Sequence, residues 1–302
     1  MNGGVAGCVA VPRGSQVWTG TVRSVFTRSA HMETDSGFVT LGSLALSPHP
    51  CAILWAGFAP GWMPGQHVHI SSRELRTEDG RVVPLHRMQR YAPSFSSTRA
   101  AGKLAVLGVL RNTGDALTHM PSQGGFHDVF KKSLGSAPRD SDSQLSGTVI
   151  RLGRRLGATL AAAMRRHDWE AFRSAADALA GLGEGLTPSG DDFLGGVFAA
   201  MRYHGKSTGS ALFPDTLTNE LACRLTAKTT PFSGFLLRLS AKGLVGLPFS
   251  RWLRAAHEGD VAAALASAGQ AAAIGHSSGL DALVGMLLSL QILNGEEPWT
   301  GY

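Results

Sequence analysis

Cysteine is scarce in this chain. Cys8, Cys51 and Cys223 are odd in number and far apart, so neither a disulfide framework nor a zinc site follows from them. A reducing cytoplasm is the expected compartment. Met1 to Pro12 lack a basic stretch followed by a long apolar core, so no signal peptide is read. The longest apolar run, around Leu283–Leu293, falls short of the roughly 20 residues that span a bilayer. There is no zinc-finger, RNP or long basic tract, which removes the usual grounds for nucleic-acid binding. What is present is the composition of a globular protein: 302 residues, 43% hydrophobic and 17% charged, with 38 glycines. The net charge of +6 permits anionic ligands or acidic partners, although a basic surface accounts for it equally well.

One stretch organises the chain, Gly181-Leu-Gly-Glu-Gly-Leu-Thr-Pro-Ser-Gly-Asp-Asp-Phe-Leu-Gly-Gly196. Alternating glycines at Gly181, Gly183 and Gly185 lead into Thr187, Pro188 and Ser189, with Ser189 as the expected N-cap of a buried helix. Ser189 and Asp192 fit a capping box, which by itself explains both residues. It explains neither the glycines nor Asp191. Backbone N–H groups at a helix start attract anions, so a ligand-binding loop is the alternative.

A second stretch, Gly275-His-Ser-Ser-Gly-Leu-Asp-Ala-Leu-Val-Gly285, repeats the pattern. Ser189 matches Ser278, Gly190 matches Gly279, Asp192 matches Asp281, Leu194 matches Leu283 and Gly196 matches Gly285, each pair 89 positions apart. The simplest geometry packs two related helices at their glycines and brings their starts to one place.

These two motifs, together with Thr229-Thr-Pro-Phe-Ser-Gly-Phe-Leu-Leu237, resemble a bacterial family of uncharacterised proteins that includes the AllH subunit of oxamate carbamoyltransferase. The resemblance is strong over the C-terminal half and loose over Gly20–Phe26. It implies a component of a multi-subunit enzyme of allantoin and purine catabolism, or a paralogue of such a component. Such an enzyme moves a carbamoyl group between oxalurate or oxamate and phosphate. The implied partners are a small anionic substrate and other carbamoyltransferase subunits, in an oligomer.

From Gln16 to about Leu85 short strand-like runs alternate with turn-rich pieces, which predicts a small antiparallel sheet or barrel over residues 1–95. His67 and His69 share a strand face there, without a third metal ligand. Residues 96–146 read as a linker helix followed by a long loop. From 147 to 302 helical periodicity dominates and carries the glycine-rich site. The expected class is therefore α+β, a β-rich domain followed by a mainly α-helical one.

The candidate ligand-binding residues are Gly183, Gly185, Thr187, Ser189, Gly190, Thr229, Thr230, Ser233, Ser277, Ser278 and Gly279. If the three hydroxyl-rich helix starts converge, they suit phosphate, carbamoyl phosphate or an oxamate-like acid. Asp191, Asp192 and Asp281 would repel such an anion unless a cation bridges them, so they are also candidate Mg²⁺ ligands. Alternatively one aspartate is a general base, and His276 is the imidazole inside a motif. No P-loop lysine and no nucleophile elbow is found. Three readings follow: a carbamoyltransferase-type subunit, a metal-dependent hydrolase that resembles ADP-ribosyl-glycohydrolases by analogy, or a ligand-binding subunit without chemistry. Whether the chain is an enzyme by itself stays open, and no cofactor is certain.

Overall fold

The computed structural model describes residues 3–59, 61–93, 100–133, 144–209 and 215–296. The chain divides into two compact units, Met1–Ser94 with Val245–Leu247, and Phe95–Leu244 with Pro248–Tyr302. The architecture is mixed α+β: strands come first and helices follow.

In the first unit β1 (Gly4–Gly7), β2 (Val17–Val25), β3 (Ser29–Thr34), β4 (Gly37–Gly42), β5 (Ala52–Trp55), β6 (His67–Ser71), β7 (Glu74–Thr77), β8 (Val82–Pro84) and β9 (Gln89–Tyr91) form one curled, half-barrel sheet. Its order is β8-β7-β6-β2-β3-β4-β5-β1-β9. The sheet is mixed, because β4 pairs with β5 and β1 with β9 in parallel. Alternation along β6 places Val68 and Ile70 in the core and leaves His67 and His69 exposed on the other face. His67 Nδ1 lies 3.3 Å from Thr21 Oγ1, an ordinary cross-strand contact. The core of this unit gathers Val22, Met32, Leu41, Ile53, Val68, Ile70 and Leu75. Each such side chain contributes about 1.5–3 kcal/mol by leaving water.

The second unit holds α1 (Lys103–His119), α2 (Gly125–Ser133), α3 (Gln144–Arg166), α4 (Trp169–Leu179), α5 (Ser189–Thr208), α6 (Asp215–Leu225), α7 (Pro231–Ala241), α8 (Leu247–Glu258), α9 (Val261–Ala272) and α10 (Ser278–Leu293). A short 3₁₀ turn, Thr226–Lys228, leads into α7. Among the described residues none of these helices is long and apolar enough to cross a membrane. Residues 94–99, where the expected linker region begins, lie outside the described residues. Where a long loop is expected after the linker helix, the chain instead carries the rest of α1 and all of α2, and residues 134–143 lie outside the described residues. The Gly, Ser and Pro content of this stretch hides two apolar faces, Thr113-Gly114-Leu117 and Phe126-Val129-Phe130, which are buried.

The similarity of α5 and α10 extends to the helices before them. Asp168 caps α4 by accepting from Ala171 N, and Asp260 caps α9 by accepting from Ala263 N. Each cap follows a left-handed residue, His167 at φ 55° and Gly259 at φ 71°. At the far end Gly190 N donates to Leu182 O at 2.8 Å, and Gly279 N donates to Ile274 O at 3.1 Å. The α4–α5 and α9–α10 hairpins are two versions of one unit. They differ by a loop three residues longer in the first copy.

The two copies cross at their glycines. A Cβ on Gly196 would fall 1.9 Å from Ala282 O, and one on Gly285 would fall 2.1 Å from Phe193 O. Gly196 faces Met286 N and Gly285 faces Val197 N in the same way, so the contact is reciprocal. Backbone meets backbone, where only the absence of a side chain allows it. Gly196→Ala should therefore lower stability by about 3 kcal/mol or more in a denaturant titration. Gly269→Ala in α9, where nothing lies within 4 Å, should raise it by up to about 1 kcal/mol. Equal tolerance at both positions would contradict the crossing.

Candidate functional site

Because α5 and α10 cross within two turns of their first residues, their N-termini lie together. Thr187 Oγ1, just before α5, is 3.0 Å from Ser278 Oγ at the start of α10. The serines do not act as the caps that the motif suggests. Pro188 holds the N-cap position of α5 and Ser277 that of α10, and neither makes a side-chain cap hydrogen bond. Ser189 is already helical, so its hydroxyl is free to turn across the crossing. The pairing runs between copies: Ser189 stands by Asp281, and Ser278 by Asp192. A capping box within each helix is thus replaced by two serine–aspartate contacts related by the local two-fold.

The three aspartates have different surroundings. Asp191 is 2% exposed, and its oxygens are engaged by the chain itself. Oδ1 accepts from Gly181 N at 2.8 Å, and Oδ2 accepts from Ser233 Oγ at 2.8 Å and from Thr229 Oγ1. Asp191 therefore ties the glycine loop and the start of α7 to α5. Thr230 completes this anchor, capping α7 through Ser233 N at 3.1 Å and donating to Leu186 O at 2.6 Å.

Asp281 is fully buried, and its Oδ1 accepts from His127 N at 3.1 Å. That donor belongs to the first turn of α2, whose positive end stabilises a carboxylate. The sequence reading did not include α2. Its signal was Gly124-Gly125 ahead of Phe126. Gly125 (φ 65°) has to be glycine, because a Cβ there would lie 2.4 Å from Asp281 Oδ2 and 2.7 Å from Ser189 Oγ. Phe126 stacks on Phe193 of α5 with ring centroids 4.3 Å apart, which holds α2 in place.

Asp192 is half-buried, but its Oδ2 is shut off from solvent and has no hydrogen-bond partner among the described residues. The same is true of Asp281 Oδ2, although the Ser189 and Ser277 hydroxyls stand by this carboxyl. Burial pushes the Asp192 carboxyl well above the usual range, and the charges of Asp281 and Asp191 add to this. The Ser278 and Thr187 hydroxyls pull it back in part. Burial likewise raises Asp281 to about 7, against the lowering effect of Ser189, the α2 backbone and Ser277.

The remaining candidates frame this pair. Gly183 packs against Ser189, Gly185 lies in the exposed part of the loop, and His276 is exposed ahead of α10. The N–H groups of Gly190 and Gly279 are engaged by Leu182 and Ile274, and that of Asp192 by Pro188 O, so the two helix starts offer hydroxyls more than amides. Among the described residues no group of three or more His, Cys, Asp or Glu is arranged to hold a metal ion. Asp191, with its oxygens turned to Gly181, Thr229 and Ser233, is one reason.

Residues 179–290 match the sequence model of the family described as oxamate carbamoyltransferase subunit AllH, the family that the motifs resemble. No solved structure matches the chain. The matched stretch encloses α5, α7 and all but the last three residues of α10, but not Gly125 or His127 of α2.

The carboxyl pair makes stability depend on pH. Asp281 and Asp192 are both raised above their unfolded values, so between about pH 4 and 7 the folded chain binds more protons than the unfolded one. The contribution of this pair to stability is then highest below that window and falls as pH rises through it, while His31, His49, His127 and His204, whose pKa values burial lowers, contribute in the opposite sense. The test is therefore a difference: the melting temperature of Asp281→Asn relative to the native chain should rise by a few degrees from about pH 5 to about pH 7.5. A difference that does not change with pH would contradict the pairing.

Proposed function

We propose that the chain is a subunit of an oxamate carbamoyltransferase-like complex, and that it binds a small acid of the oxamate type where α5 and α10 begin. The observation that carries this reading is where the family match lies. Residues 179–290 enclose Gly181–Asp192, Thr229–Ser233 and Gly275–Asp281, the segments that build the site. The arrangement supports the chemistry. The Thr187 and Ser278 hydroxyls meet where the two helices begin, with Ser277 beside them in sequence, and supply polar groups for a ligand there, while the net charge of +6 favours an acidic one.

Asp191, Asp192 and Asp281 divide the work. Asp191 holds the loop, while Asp192 and Asp281 face the ligand and move or hold a proton. Phosphate or carbamoyl phosphate is the second reactant, met in the assembled complex with the other subunits, in the cytoplasm.

The test is turnover. Phosphate release from carbamoyl phosphate in the presence of oxamate should be negligible with this chain alone and should appear when the partner subunits are added. Asp192→Ala should lower that rate by about 100-fold or more while the assembled complex elutes unchanged. Full activity of the isolated chain would overturn its role as a subunit. An unaffected Asp192→Ala complex would remove the site from the reaction.

A further inference from the structure

The two orphaned oxygens identify the part of the ligand that Asp192 and Asp281 meet. Among the described residues, Asp281 is 0% exposed and its Oδ2 is buried without a hydrogen-bond partner, and the Oδ2 of Asp192, whose carboxyl feels the Asp281 charge, is buried without one as well. A buried acceptor without a donor is costly, and each of these two carboxyls carries one. They are not left over from helix capping, since the backbone donors nearby already serve other acceptors. Gly181 N and His127 N go to the other oxygens of the aspartate set, and Gly190 N and Gly279 N go to backbone carbonyls. An anionic group brought to these oxygens would meet acceptors and like charge. The complement is a donor.

We propose that Asp192 and Asp281 bind the primary amide end of a small ligand, and that the acid end of the ligand lies toward the Thr187 and Ser278 hydroxyls. A primary amide carries N–H and C=O side by side. One carboxylate accepts the N–H, and the other carboxyl, in its acid form, donates to the carbonyl. Two carboxyls of raised pKa that cannot both be charged supply one acceptor and one donor of this kind at neutral pH. A phosphate offers no N–H and does not fit the pair. The ligand length rests on the oxamate reading above; the amide contact rests on the two unpartnered oxygens and on one of the two carboxyls holding a proton.

The experiment compares ligands that differ only at nitrogen, by calorimetry on the full chain. Oxamate should bind at least tenfold more tightly than N,N-dimethyloxamate, which keeps the acid and the carbonyl but has no N–H, and more tightly than oxalate. Asp192→Ala should lose this preference. Asp192→Asn, whose side chain offers the same donor and acceptor as a protonated acid, should keep most of it, with both variants folded by circular dichroism. Equal affinity for oxamate and N,N-dimethyloxamate would overturn the proposal, as would stoichiometric Mg²⁺ binding that Asp192→Asn abolishes. Acetamide, a primary amide without the acid, separates this inference from the function on which it builds. Acetamide that perturbs the Asp192 and Asp281 resonances, with no carbamoyl transfer to oxamate in the assembled complex, leaves the amide site standing without the carbamoyltransferase reading. If neither oxamate nor acetamide perturbs them, the amide site falls.

Discussion

The backbone contact between α5 and α10 is the constraint on which the rest depends. Gly196 lies against the carbonyl of Ala282 and Gly285 against that of Phe193, so the helices approach as closely as main chain allows. That approach brings Ser189 and Asp192 of one copy to Ser278 and Asp281 of the other. It also forces two carboxyls into a space where they lose water. The charged state of the pair is opposed by burial and by mutual repulsion, and supported only in part by hydroxyls and the α2 backbone. A small increase in the distance between the helices would readmit water and return both carboxyls toward ordinary behaviour. Packing thus sets the electrostatics of the site.

The repeat also explains why the site is not symmetric. Where the first copy has Asp191, the second has Leu280, which is buried and apolar. The first copy needs that extra carboxylate because its loop is longer. Gly181 to Thr187 must be held against the start of α7, and Asp191 does so through Thr229 and Ser233. The second copy has a short turn ending in His276 and Ser277 and needs no such anchor. One side of the helix crossing is therefore a tethered loop and the other a tight turn.

Much of this was legible in the sequence, for reasons that mark the limits of such reading. The change from alternating runs to helical periodicity gave the order of the two units, and a strict spacing of five residue pairs gave the kinship of α5 and α10. Strands such as Ser29–Thr34 and Glu74–Thr77 escaped notice because their polar faces dilute the alternation. The capping expectation for Ser189 failed by one position. Pro188 takes the N-cap, a shift that local propensity cannot resolve but that turns the hydroxyl from its own helix to the neighbouring one. Gly125 and His127 were hidden because their role comes from a contact 154 residues distant in sequence, between His127 N and Asp281. Asp191 and Asp192 look equivalent in the motif. Helical geometry points them in different directions, one into the protein's own donors and one into the site.

The claim at the centre is that Asp192 and Asp281 form one buried, coupled pair. The most direct measurement is the titration of their side-chain carboxyl carbons by nuclear magnetic resonance between pH 3 and pH 9. Coupling predicts that both titrate above the ordinary carboxylate range, that each senses the other's step, and that Asp281→Asn lowers Asp192 part of the way by removing the charge that adds to its burial. Two independent titrations near the ordinary aspartate value of about 4 would contradict the account.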